Sequence, residues 1–181
     1  MIITIARSYG SGGKEIGRAL AKELGISYYG RELFETPENE DSIYSGDDES
    51  MHKFSMGETD ELFKRQSALI RSAAERGDCV IVGRCADYVL RDRDDVLKIY
   101  LYAPPRECMR RVIRLYELNP EDAKELIRSM NKTRGDYYLY NTGLEWSDSM
   151  HYDFCLNTAG LGTDRCVEII RSYINVRFEN K

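Results

Sequence analysis

The stretch Ile2-Ile3-Thr4-Ile5-Ala6-Arg7-Ser8-Tyr9-Gly10-Ser11-Gly12-Gly13-Lys14-Glu15-Ile16 decides how this chain is read. It opens as a short apolar run rich in β-formers and breaks at once into glycines. Beyond it Ile16, Leu20 and Leu24 recur at four-residue steps, the spacing of one helix face, and Gly25 suits a helix stop. Strand, glycine-rich turn and helix make the setting that a phosphate cradle needs. Backbone N–H groups at the turn and helix start point at an anion, and the helix dipole adds to their pull. Glycines there adopt positive φ and let phosphate oxygens approach without a Cβ in the way. Gly10, Ser11, Gly12, Gly13, Lys14, Glu15 and Ile16 are therefore the nucleotide-binding candidates, with Lys14 placing an ammonium against the β- and γ-phosphates. A purely structural tight turn is the alternative.

Set against G-x-x-x-x-G-K-[ST], the loop departs at two places. Ser8 stands at the first glycine position, and Glu15, followed by Ile16, stands where a Ser or Thr hydroxyl would help to hold Mg²⁺. Such a loop leaves the metal mainly to nucleotide phosphates and water, with Glu15 as a candidate ligand, directly or through water. The simpler role for Glu15 is to complement the positive helix start.

The rest of the chain continues the alternation. Cys79 to Val82, Val96 to Ala103 and Tyr152 to Leu156 are short apolar runs of the kind found in strands covered on both faces. Helical periods lie between them: Leu62, Phe63, Leu69, Ile70 and Ala73 ending near Gly77; Cys108 to Tyr116 behind Pro104-Pro105; a helix opened by Asn119-Pro120; and a last one from about Asp164. This pattern predicts an α/β fold, one parallel sheet flanked by helices, in a single domain over residues 1–181. One segment stands apart. Glu35 to His52 carries seven acidic residues and no Lys or Arg, and reads either as a solvated excursion or as a flap over substrate.

Composition narrows the function classes. Twenty-six Lys plus Arg against 31 Asp plus Glu give a net charge of -5, which argues against duplex nucleic acid as a partner but not against a small phosphorylated ligand. There is no apolar run of about 18 residues to span a membrane, and the N-terminus lacks the pattern of a signal peptide. Five scattered cysteines without a C-x-x-C pair fit buried free thiols in a reducing cytosol, hence a cytoplasmic location. Neither His52 nor His151 has a partner pattern that suggests catalysis.

Two further constellations carry positive charge. Val82-Gly83-Arg84 ends a strand with a guanidinium, at the sheet edge where ligands gather in open parallel sheets. Arg84 there faces the phosphate loop as a bidentate phosphate ligand, or else pairs on the surface with Asp87 or Asp92. In Arg128-Ser129-Met130-Asn131-Lys132-Thr133-Arg134, three cations sit at a helix end and enter Gly135-Asp136-Tyr137-Tyr138. They read as a movable basic lid that aligns phosphates and excludes water, or as a solvated face complementing the helix dipole.

At this point a resemblance becomes visible. Ile3 to Ile16, Leu20 to Ile26 and Tyr29-Gly30-Arg31-Glu32-Leu33 resemble the opening of the cytidylate kinase-like family. Val80 to Arg84 with Lys98 to Leu101, Tyr137-Tyr138 with Gly143 to Trp146, and Tyr152 to Thr158 with Leu161-Gly162 resemble its later blocks. The resemblance implies a P-loop NTPase-type fold with a monophosphate-binding insertion (about 30–76) and a lid (about 128–146). It also implies ATP- and Mg²⁺-dependent transfer to a nucleoside monophosphate, CMP or dCMP above others. A kinase for another small molecule and a degenerate regulatory nucleotide-binding module stay open. The resemblance carries the lid role onto Arg128 and Arg134, while Asn131 and Lys132 depart from the family's denser basic ladder; Lys14, Arg128, Lys132 and Arg134 are the catalytic candidates, and Arg84, Arg31 and Asp87 the acceptor-binding candidates. Cys85 stands where the true cytidylate kinases carry an aspartate after the arginine.

Overall fold

The computed structural model describes residues 1–30 and 56–178. The acidic segment Glu35 to His52 and Arg31 lie outside the described residues. Five strands form one parallel sheet: β1 (Ile2–Arg7), β2 (Ser27–Tyr29), β3 (Cys79–Val82), β4 (Val96–Tyr102) and β5 (Phe154–Asn157), in the order β2-β3-β1-β4-β5. The chain builds one side of β1 with β3 and β2, then crosses to the other for β4 and β5. That reversal opens a crevice beyond the carboxyl ends of the central strands.

Helices cover both faces, and the period-2 pattern of the strands assigns each face its partners. Ile3, Ile5, Leu97, Ile99 and Leu101 pack on one side against α1 (Gly13–Leu24) and α6 (Gly162–Phe178) through Ile16, Leu20, Val167 and Ile170. Ile2, Cys79, Ile81 and Val96 pack on the other side against α2 (Met56–Glu75) and the short α3 (Ala86–Val89) through Ile70, Ala73 and Val89. Burial on both faces is why these strands read as continuous apolar runs rather than as alternation.

The helix boundaries follow local chemistry. Gly25 ends α1 in the left-handed region at φ 66°. Pro105 opens α4 (Pro105–Tyr116), and Asn119 caps α5 (Pro120–Thr142) by accepting from the Asp122 N–H at 2.9 Å. Two elements escaped the sequence reading. β2 is only three residues and α3 only four, too short to carry a period. The basic segment also differs from its expected place at a helix end, because α5 runs unbroken through Gly135 to Thr142. Buried Met130, Thr133, Tyr137 and Tyr138 anchor one side of that helix and offset the roughly 1 kcal/mol an internal glycine costs. Among the described residues no helix is long and apolar enough to cross a membrane. Cys79, Cys85, Cys108 and Cys166 are buried free thiols, and Cys155 is half-buried and also free.

Candidate active site

The glycine-rich loop leaves the carboxyl end of β1 and enters α1 as the sequence predicts. Gly10 and Gly12 adopt φ 80° and 83°, a region L side chains rarely enter. At Gly10 space also forbids a side chain, since an added Cβ would stand 2.9 Å from Cys108 Cβ and 3.0 Å from its backbone. Gly12 caps α1 without a side-chain hydrogen bond, so the first N–H groups of the helix face outward with the character of an anion site. Lys14 and Glu15 are exposed in the first turn, and Ile16 is buried in the core. This cradle fits a polyphosphate. For Mg²⁺, Glu15 is the acidic side chain in that first turn.

The loop is tied down from three sides. Ser11 Oγ donates to the Ser8 carbonyl at 2.8 Å. Arg111 on α4 donates from Nη1 to the Gly10 carbonyl at 3.3 Å and to Thr158 Oγ1 at 2.9 Å, and from Nη2 to the Thr158 carbonyl at 3.0 Å. From α5, Asn131 Oδ1 accepts the Tyr9 N–H at 2.7 Å, while Arg134 Nη1 donates to the Arg7 carbonyl at 3.2 Å and its guanidinium lies 5.1 Å from the Tyr9 ring centre.

Beside the loop lies an open cleft. Arg7, Arg84 and Arg134 line it together with Asp87, Tyr137, Tyr138 and Trp146. Gly83, Arg84 and Cys85 turn the chain out of β3 through three successive positive φ values of 82°, 58° and 58°. Two of the three are not glycine, and such left-handed residues cost of order 1–3 kcal/mol each, a cost that clusters at functional sites. The turn places Arg84 on the cleft wall and buries Cys85 as the residue before α3. Burial pushes the Cys85 thiol well up. Asp87 is 5% exposed and accepts from the Tyr138 hydroxyl at 2.6 Å. Burial raises its carboxyl pKa above the ordinary range, outweighing the Tyr138 hydrogen bond, which pulls the other way. Asp92, the other acid considered for Arg84, lies 3.8 Å from Arg91.

An aromatic frame supports the cleft. Tyr100 on β4 meets Trp146 edge to face at 5.7 Å and Tyr152 at 5.1 Å, and Tyr152 donates to the Trp146 carbonyl at 2.7 Å. Burial pushes the Tyr100 phenol up to about 12. From α2, Gln66 Oε1 accepts the buried Tyr137 hydroxyl at 2.9 Å.

Of the three basic-segment cations, the structure brings one to the cleft. Residues 128 and 132 stand about 240° and 200° from residue 134 around the helix axis at 3.6 residues per turn. Arg128 is exposed and pairs with Glu125 at 3.2 Å, and exposed Lys132 pairs with Asp136. Arg134 faces Arg7 and Tyr9. Lys14, the loop residues, Arg84 and Asp87 are gathered at the same edge of the sheet. His151 lies 3.7 Å from Asp148, away from the cleft lining. Sequence reasoning missed Arg7, Arg111 and Thr158 as site residues. Their polar partners lie 147 positions off in one case and 101 in another, and no local spacing announces that.

Comparison with known proteins bears on the family and the fold. A family model described as the cytidylate kinase-like family matches residues 2–160. A cytidylate kinase of Methanopyrus kandleri is 28% identical, covering 100% of this chain and 96% of that protein. One from Thermococcus kodakarensis is 28% identical over 97% of this chain and 88% of its own length. Among solved structures, an uncharacterized protein from Eubacterium ventriosum is 27% identical with a TM-score of 0.80, covering 98% of this chain and 99% of that one. A shikimate kinase from Acinetobacter baumannii, 19% identical with a TM-score of 0.57 over 99% of this chain and 94% of that one, shares the fold.

Proposed function

The chain belongs to the cytidylate kinase-like family, and on that premise we propose that it transfers the γ-phosphoryl group of ATP to a nucleoside monophosphate, with CMP or dCMP as acceptor. The observation that carries this reading is the juxtaposition of the glycine loop with a cleft lined by Arg7, Arg84 and Arg134. One side suits a donor polyphosphate and the other a phosphomonoester dianion, and both open at one edge of the sheet.

In this reading the loop N–H groups and Lys14 hold the donor phosphates, and Arg84 holds the acceptor phosphate with a planar fork. An acceptor phosphate oxygen is already a nucleophile, so no strong general base is needed. The protein's task is alignment and charge neutralisation along the in-line path. Arg134, anchored on α5, adds charge at the junction, and Tyr137, Tyr138 and Trp146 line the same cleft. Bound magnesium supplies further charge neutralisation on the donor phosphates. Glu15, exposed in the first turn of α1, would hold it, directly or through water.

A coupled ADP-release assay across the nucleoside monophosphates and small alcohols tests the proposal. ADP release that depends on CMP or dCMP supports it. Release with an alcohol alone makes the protein a different small-molecule kinase, and binding of ATP without release makes it a regulatory module.

A further inference from the structure

Two glycines far apart in the chain make room for one side chain. A Cβ added at Gly13, in the phosphate loop, would stand 2.7 Å from Arg7 Cγ and 2.8 Å from Arg7 Cβ. A Cβ added at Gly83, on the acceptor wall, would collide with Arg7 Nη1 and stand 3.0 Å from its Cζ. The stem of Arg7 thus lies along the donor loop, and its guanidinium reaches the strand end that carries Arg84. Its backbone is fixed in β1, in register with Leu101, and its carbonyl accepts from Arg134 Nη1 at 3.2 Å. The side chain is half-buried and lines the cleft together with Arg84, Asp87 and Arg134.

We propose that Arg7 is a catalytic cation that spans the donor and acceptor sites, its guanidinium meeting the phosphoryl group during transfer. The proposal rests on the phosphotransfer reading above. In the step itself a bond forms between an acceptor phosphate oxygen and the γ-phosphorus. The bond from γ-phosphorus to the bridging oxygen breaks, and its electron pair leaves on the β-phosphate of ADP, with no redox partner and no obligatory proton. Charge collects on the transferring oxygens and on the departing oxygen, between the loop and the acceptor wall. That is the interval Arg7 crosses. A loop with Glu15 and Ile16 in place of the hydroxyl ligand has more use for such a fixed cation than one that carries the hydroxyl.

The test uses the full chain and compares the parent with Arg7→Met and Arg7→Lys. ADP release with ATP, Mg²⁺ and CMP gives kcat. Calorimetry gives the affinity for ATP and for a dinucleotide that joins adenosine and cytidine through five phosphates. We expect Arg7→Met to lower kcat by about 10³-fold, the lower end of what a transition-state arginine contributes. ATP affinity stays within about threefold, and dinucleotide affinity falls about tenfold or more, as for loss of one charged hydrogen bond. Arg7→Lys, which keeps stem and charge, recovers part of both and controls for folding. A kcat within threefold of the parent overturns the proposal. So does a loss of ATP affinity and thermal midpoint as large as the loss of transfer, which would make Arg7 a strut. If the parent releases no ADP with any monophosphate, the acceptor reading falls and the dinucleotide titration alone decides. Weaker dinucleotide binding by Arg7→Met then upholds the bridging role, and equal or absent binding overturns it.

Discussion

Thr158 Oγ1 donates to the Ser11 carbonyl at 2.7 Å across 147 residues of chain and accepts from Arg111 Nη1 at 2.9 Å. One buried hydroxyl thereby fastens the loop after β5 to the glycine-rich loop after β1. Thr158→Val keeps the shape and removes both bonds, leaving the Ser11 carbonyl and part of the Arg111 fork unsatisfied. We expect a loss of about 1–3 kcal/mol in stability, the cost of an unmet buried polar group, and weaker ATP binding. Thr158→Ser should retain most of both. Thermal melts with and without ATP check this, and a valine variant that binds ATP as the parent does would show that the fastening does not organise the loop.

Lys14 is exposed in the first turn of α1, so its removal leaves the packing of the empty protein untouched. Lys14→Ala should leave the apo thermal midpoint within about 2 °C of the parent, since surface substitutions usually change stability by less than about 0.5 kcal/mol. The rise in midpoint on adding ATP, which measures binding to the folded state, should vanish. An equal rise in parent and variant would take Lys14 out of the donor site.

The cations of α5 should separate by side of the helix. Arg134 meets the Arg7 carbonyl and the Tyr9 ring, whereas Arg128 and Lys132 pair with exposed acids. Exposed pairs of this kind contribute about 0–1 kcal/mol. Arg134→Ala should reduce transfer about ten- to a hundredfold, the scale of a charged hydrogen bond, while Arg128→Ala and Lys132→Ala stay within about twofold. Rate assays on the three variants decide. A loss at Arg128 or Lys132 as large as that at Arg134 would mean that α5 turns or unwinds during catalysis.

Asp87 gives a pH dependence whose sign can be worked out. Burial raises its folded pKa above the ordinary aspartate value of 3.8, so the folded state holds the proton longer than the unfolded one. Its stabilising contribution is full below pH 3.8 and is lost as pH rises through the raised value. Asp87→Asn mimics the protonated acid and keeps an oxygen for the Tyr138 hydroxyl. The midpoint of Asp87→Asn minus that of the parent should therefore grow as pH rises from 4 to 7. A difference that shrinks or stays flat would mean the carboxylate is solvated or matched by a cation in the folded protein.

The sequence by itself determined the α/β class, the place of the glycine-rich loop and most of the helix boundaries. These are local matters: glycine geometry at Gly10 and Gly12, apolar spacing in Ile16, Leu20 and Leu24, and the Asn119-Pro120 helix start act within one or two turns of chain. Arg84 and Asp87 were legible as candidates because they follow a recognisable strand, although the three positive φ values that aim them were not. Only the tertiary structure decided which cation of α5 serves the cleft. That choice depends on which side of the helix Met130, Thr133 and Tyr137 bury, together with the continuation of the helix through Gly135. The tertiary structure also decided the roles of Arg7, Arg111 and Thr158. A guanidinium that reaches from Gly13 to Gly83, or one that joins Gly10 to Thr158, acts through distance in space. The sheet order, which sets β1 between β3 and β4, is what creates that proximity.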